Sequence, residues 1–245
     1  MADFEIEPQK FLSRSDWTLA DMATKNFENY HQKLFKARFL VLLILILLML
    51  VLPPFFDQFI QARILLDVFL TVIFLLIIYT IRLKKSQAII ALIFVLPLIV
   101  TIWSAYFVEI KTFSLLTRIF SALFFAYTAI NILRIIVKSE KVTKETIFAA
   151  IVAYLLIALM WAFLYMILER VSPGSFSFAD KGLWGETMRY EYLSFVTITT
   201  LGYGDITPLT DQASALVMLE AVIGQIYLVV LVAWLVGMYV SRRSK

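Results

Sequence analysis

Six apolar runs, each about as long as a helix must be to cross a bilayer, leave this chain one environment in which to fold. Windows of about 20 residues place them at 38–56, 64–83, 88–108, 113–137, 146–168 and 212–240. A further semi-apolar piece, 188–200, is too short to cross. Only 16% of the 245 residues are charged and 62% are hydrophobic, so a soluble domain could not hide the apolar surface. The expected class is an all-α membrane protein. The first run begins too late and runs too long for a cleavable signal peptide.

The basic residues give the expected orientation. Sixteen of the 22 Lys and Arg lie up to the start of the first run or at and beyond the ends of the second, fourth and sixth. Five (Arg63, Lys111, Arg170, Lys181 and Arg189) lie in the opposite loops, and Arg118 lies inside a run. Lys and Arg accumulate on the cytoplasmic side, which makes this a multi-pass plasma-membrane protein with both termini in the cytoplasm. Trp103, Tyr106, Trp161 and Tyr165 fall near the outer ends of their runs, where amphipathic rings sit at the headgroup level. Within residues 1–37, Leu19, Met22, Phe27, Tyr30 and Leu34 recur at helical spacing behind Thr18 and Asp21. The spacing predicts an amphipathic helix on the inner membrane surface, with a solvated arm as the alternative.

The connection between the last two runs holds the chemistry. "TTLGYGD", Thr199 to Asp205, places Gly202 and Gly204 one residue apart between apolar segments. Irregular backbone at membrane depth survives only where it is buried in protein or lines a water-filled path. If Thr200, Leu201, Gly202, Tyr203 and Gly204 run extended with their carbonyls facing one axis, those oxygens replace the hydration shell of a cation. Pointing successive carbonyls the same way requires left-handed backbone angles, which the two glycines adopt at little steric cost. The piece before Thr199 forms a half-helix whose negative dipole end favours a cation, and Asp205 adds carboxylates at the outer mouth. One strip cannot enclose an ion, so four copies with cyclic symmetry are expected, each supplying a quarter of the site.

"TTLGYGD", preceded by a short helix and followed by a long span, resembles the signature of the potassium channel family over about residues 146–240. The resemblance implies that Thr200 to Gly204 form the selectivity filter, with K+ held at Thr200, Leu201, Gly202 and Tyr203. It implies that Asp205 hydrogen-bonds behind the filter, where Tyr192 stands in place of a frequent Trp and Thr199 lends support. Leu201 replaces the usual Val, and Val196 replaces a Glu found in some members. Gly224 matches the inner-helix hinge glycine, although small residues equally serve close helix packing. Tyr227, Leu231, Trp234, Leu235 and Met238 below it are expected to form an apolar constriction. The organisation implied is an N-terminal segment to 37, a four-helix unit 38–140 similar to a voltage sensor, a pore domain 141–240 and a tail 241–245. The whole is a homotetramer of six transmembrane helices per chain, each with a re-entrant pore helix and filter loop.

The fourth run does not carry the regular cationic repeat of a voltage sensor. Arg118 and Arg134 stand near its two ends, with Ala122, Phe125, Thr128 and Asn131 between. One charge crossing the whole field contributes about 2.3 kcal/mol per 100 mV, so so few charges give weak voltage dependence or none. Arg118 needs a partner in hydrocarbon, and Asp67 lies at similar depth, so an Asp67–Arg118 ion pair is expected. Glu220 is a further intramembrane acid whose facing the spacing leaves open. The expected partners are membrane lipids, K+ ions and other copies of the chain, with no nucleic acid and no cofactor beyond permeating K+. No enzyme constellation occurs: there is no Cys, the single His31 lies in the polar segment, and no nucleophile elbow or phosphate loop appears. A poorly selective cation channel and a non-conducting membrane receptor are the alternative readings.

Overall fold

The computed structural model describes residues 37–56, 60–80, 85–104, 114–139, 142–178 and 185–243. The chain divides into two units, Met1–Ala37 and Arg38–Lys245. The interfacial helix expected in residues 1–37, with Leu19, Met22, Phe27, Tyr30 and Leu34, lies outside the described residues.

The second unit is built from α1 (Arg38–Val51), α2 (Pro53–Phe56), α3 (Ile60–Thr80), α4 (Lys85–Ser104), α5 (Ser114–Val137) and α6 (Lys144–Val171). These are followed by β1 (Phe176–Phe178), α7 (Glu186–Ile198), β2 (Ile206–Pro208) and α8 (Asp211–Arg243). The first apolar run, expected to be one span to residue 56, is broken at Leu52. Pro53 and Pro54 cause the break, because proline lacks an amide donor and disfavours helical geometry in the residue before it. Among the described residues, Leu115–Val137, Lys144–Val171 and Asp211–Leu231 are long and apolar enough to cross a membrane. Arg38–Val51, Val68–Tyr79 and Ile89–Val100 are apolar but shorter. The fold is helical apart from β1 and β2, which pair antiparallel with Ser177 opposite Thr207. This small ribbon was absent from the all-α expectation.

α1 and α5 pack directly onto α6, and α3 and α4 pack onto α1 and α5, in one continuous hydrophobic core. α5 runs along α6, where Phe125 stacks on Phe163 with centroids 5.7 Å apart and planes at 24°. Phe74 of α3 meets Phe124 edge-on at 5.4 Å, and Phe94 of α4 tilts against Phe120 and Tyr127. α1 contributes Phe39, Leu42 and Ile46, and α6 answers with Ala149, Ala150 and Ala153, small residues that let backbones approach. α6 starts cleanly because Thr143 caps it: its Oγ1 accepts from the Thr146 amide at 3.2 Å, and Thr146 Oγ1 accepts from the Thr143 amide at 3.4 Å.

Phe125 is 2% exposed and Ile130, on the same helix, 48%. Phe125→Ala is expected to cost about 3–5 kcal/mol through the lost contacts and the cavity left at α6. Ile130→Ala stays within about 0.5 kcal/mol. Thermal melts of the detergent-purified variants measure the difference.

Candidate ion-conducting site

α7 is 13 residues long and ends in two turn residues, Thr199 and Thr200. A helix end leaves carbonyls without partners, and here the next residues fold back to satisfy them. The amides of Leu201 and Gly202 both donate to the Val196 carbonyl, at 2.9 and 3.3 Å, and the Thr200 amide donates to Thr197 at 2.9 Å. In a planar trans peptide the N–H of one residue points opposite to the C=O of the residue before it. With the Leu201 and Gly202 amides turned toward α7, the carbonyls of Thr200 and Leu201 both point away from it. Consecutive carbonyls on one side require backbone angles that alternate in hand. Positive φ values occur at Thr200 (59°), Gly202 (57°) and Gly204 (77°), and not at Leu201 or Tyr203. Glycine adopts such angles freely, whereas a left-handed Thr200 costs about 1–2 kcal/mol. Its hydroxyl donates to the Thr199 carbonyl at 2.7 Å.

Hydrogen bonds hold the strip at both ends. At its far end Tyr192 Oη donates to Asp205 Oδ2 at 2.7 Å, while Asp205 Oδ1 accepts from the Ile206 amide at 3.1 Å. Desolvation, then the adjacent Asp205 carboxylate, pushes the Tyr192 phenol up to about 12, so it keeps the donated proton throughout the neutral range. At the near end Thr199 Oγ1 donates to the Phe195 carbonyl at 2.6 Å, and Tyr154 of α6 donates to the Ile198 carbonyl at 2.8 Å. The β1–β2 ribbon ties the loop after α6 to the residues following Asp205. Phe176 packs edge-on between Tyr165 of α6 and Tyr190 of α7, fixing that ribbon to the helices.

α8 seats against the end of α7. A Cβ on Gly224 would stand 2.5 Å from the Ile198 carbonyl oxygen and 2.7 Å from Ile198 Cγ1. This close approach is reason enough for the glycine, which sits within an unbroken helix. One residue on, Gln225 Nε2 donates to Thr200 Oγ1 at 3.2 Å. That hydroxyl then has its proton on Thr199 and one lone pair on Gln225, leaving one lone pair for an ion. One turn before Gly224, Glu220 is fully buried, accepting from Tyr165 of α6 and lying 2.5 Å from Ser194 Oγ of α7. Gln225, Tyr154 and Ser194 escaped the sequence reading, which gave Tyr165 only a place near the outer end of its run. Only the position of Gln225 beside Gly224 offered a signal.

Of the residues expected to form a constriction, Tyr227 is placed elsewhere. Tyr227 turns toward α6, its hydroxyl donating to the Ala150 carbonyl at 2.6 Å and its ring 5.4 Å from that of Tyr154. A tyrosine hydroxyl in hydrocarbon needs an acceptor, and the nearest is the helix behind it. Leu231 and Trp234 pack against the core on the same side, and the side chains of Leu235 and Met238 lie outside the described residues. In the four-helix part, Arg118 Nη1 donates to the Met166 carbonyl at 3.0 Å. The side chain of Asp67, its expected partner, lies outside the described residues.

In the single chain Thr199 to Asp205 are all exposed, and an apolar stripe continues from them down α8 through Met218, Val222, Ile226 and Val229. Residues 146–241, from α6 through nearly all of α8, match the model of a protein family described as ion channel. No curated protein and no solved structure matches the chain. Over these residues the chain is similar to an ion channel domain, which is not an enzyme class, and it has helices long and apolar enough to cross a membrane.

The packing at Gly224 makes a comparison with Gly237, whose Cβ would meet nothing within 4 Å. Gly237→Ala is expected to leave the melting temperature unchanged or raise it, by up to about 1 kcal/mol of helix propensity. Gly224→Ala must push α8 off Ile198 and lowers it, as thermal melts of the two variants would register.

Proposed function

We propose that the protein is a potassium-selective channel that passes K+ passively across the plasma membrane. The functional unit is a homotetramer with four strips around one axis and six transmembrane helices per chain. One observation carries the reading: the amides of Leu201 and Gly202 turn back onto Val196, so the carbonyls of Thr200 and Leu201 face away together. With φ alternating in sign from Thr200 to Gly204, the strip has the form needed to coordinate a dehydrated cation through main-chain oxygens. Thr200, Leu201, Gly202 and Tyr203 are the K+ ligands in this reading, with Asp205, Tyr192 and Thr199 supporting them. The match of residues 146–241 to the ion channel family supports it independently.

The exposed filter and the uncovered apolar stripe on α8 support assembly of several copies, since a monomer would leave that surface without a protein neighbour. The excess of Lys and Arg on one side supports cytoplasmic termini. Gating that is weakly voltage-dependent or voltage-independent follows from the broken charge repeat of α5. A hinge at Gly224 is compatible with its close packing only if α8 moves together with the end of α7.

Purified protein in planar bilayers with unequal K+ and Na+ tests the reading. A reversal potential near the K+ equilibrium value is the expected outcome. A value midway between the two ions identifies a poorly selective cation channel, and no current identifies a non-conducting protein. Gly202→Ala forces a side chain into left-handed backbone in every subunit, at about 1–2 kcal/mol each, and is expected to abolish selective flux.

A further inference from the structure

We propose that Glu220 is a neutral carboxylic acid that clamps α8 to α6 and α7 and thereby positions the filter, an inference that rests on the conduction reading above. Glu220, Tyr165 and Ser194 are each 0% exposed. Tyr165 donates its hydroxyl to Glu220 Oε2, and Ser194 Oγ lies 2.5 Å from Glu220 Oε1. The same Ser194 Oγ lies 2.6 Å from the carbonyl oxygen of Ala158 on α6.

A proton count decides the state of the acid. A carbonyl can only accept, and each hydroxyl brings one proton. Three contacts (Tyr165 to Glu220, Ser194 to Ala158, and Ser194 to Glu220) need three protons, and the two hydroxyls supply two. The third belongs to the carboxyl of Glu220, which donates to Ser194 while Ser194 donates to Ala158. The surroundings agree: among the described residues the hydrogen-bond partners of Glu220 are two hydroxyls and no cation, and an unpaired carboxylate in hydrocarbon is costly. Other titratable groups on the helices packed against it are Tyr154 of α6, whose hydroxyl donates to the Ile198 carbonyl, and Glu191, three residues before Ser194 on α7. On α8 itself no titratable residue stands between Asp211 and Tyr227 except Glu220.

The clamp acts on the filter through a second contact. Glu220 and Gly224 are one turn apart on α8, as Ser194 and Ile198 are on α7. The helices therefore meet at two successive points, Ser194 on Glu220 and Ile198 on Gly224. Ile198 immediately precedes Thr199, and Val196 between the two points holds the Leu201 and Gly202 amides. Removing the proton leaves two hydroxyl protons for three contacts and a buried anion, so Ser194 gives up either Ala158 or Glu220 and the helix end carrying the strip shifts.

The test uses the full-length wild-type protein with Glu220→Gln and Glu220→Ala, reconstituted in liposomes and followed by potassium efflux and infrared spectroscopy. Glutamine accepts from Tyr165 and donates to Ser194 as the neutral acid does, yet cannot ionise. The expected results are a protonated-carboxyl C=O band in the wild type at neutral pH that Glu220→Gln removes, and near wild-type flux in that variant. Glu220→Ala loses at least about tenfold through the unpaired hydroxyls. Alkaline titration that removes the band lowers wild-type flux and spares the glutamine variant. The proposal is overturned if the band is absent, if glutamine is as damaging as alanine, or if flux holds steady while the band titrates. Wild-type liposomes that pass no potassium overturn the conduction reading instead, and the infrared band then decides the protonation by itself.

Discussion

Hydrocarbon offers nothing to an unpaired backbone amide, and that constraint organises the pore around the C-terminal end of α7. The chain must stop being helical there to expose carbonyls, yet the helix it leaves has carbonyls of its own that lack donors. Both needs are met together, because the amides of Leu201 and Gly202 turn back to Val196. The groups that would be costly if unpaired are used on the helix, and the oxygens left over face the other way. The left-handed backbone of Thr200 is the strain this arrangement carries, and the hydroxyl of the same residue compensates part of it through Thr199.

An end so placed must also be held from behind. Tyr154 donates to the Ile198 carbonyl, and α8 lies against that residue so closely that only glycine fits at 224. Small side chains and hydroxyl groups hold helices together where lipid tails are as apolar as the side chains themselves. The pore uses both devices within one turn, a missing Cβ at Gly224 and an acid between two hydroxyls at Glu220. Steric fit fixes the distance between the helices, while hydrogen bonds fix their rotation.

How much of this could be read in the sequence depends on what periodicity encodes. Apolar length located the helical segments, and proline would have located the break at Leu52 had Pro53 and Pro54 been weighed against the apolar run around them. The glycines of the strip announced their backbone angles, but Thr200 did not, because a β-branched residue in left-handed conformation runs against its local preference and is imposed by the helix end. Spacing says which residues share a face and not which neighbour that face meets. Tyr227 was therefore placed in a constriction when its hydroxyl in fact reaches Ala150, and the facing of Glu220 stayed open until Tyr165 and Ser194 appeared beside it. The β1–β2 ribbon is three residues per strand, too short for any pattern to emerge.

The position of α5 bears on how such a pore could be opened. Residues 138–143 alone connect α5 to α6, and the two helices pack along each other, with Phe125 stacked on Phe163 and Arg118 bonded to the Met166 carbonyl. A helix that slides in response to voltage needs charge to drive it and a neighbour it can leave. Moving one charge through the whole field supplies about 2.3 kcal/mol per 100 mV, whereas exposing a single stacked core phenylalanine costs about as much or more. Arg118 is anchored to α6, and the middle of the helix carries Ser121, Thr128 and Asn131 in buried positions. α5 is accordingly packed as a brace along α6.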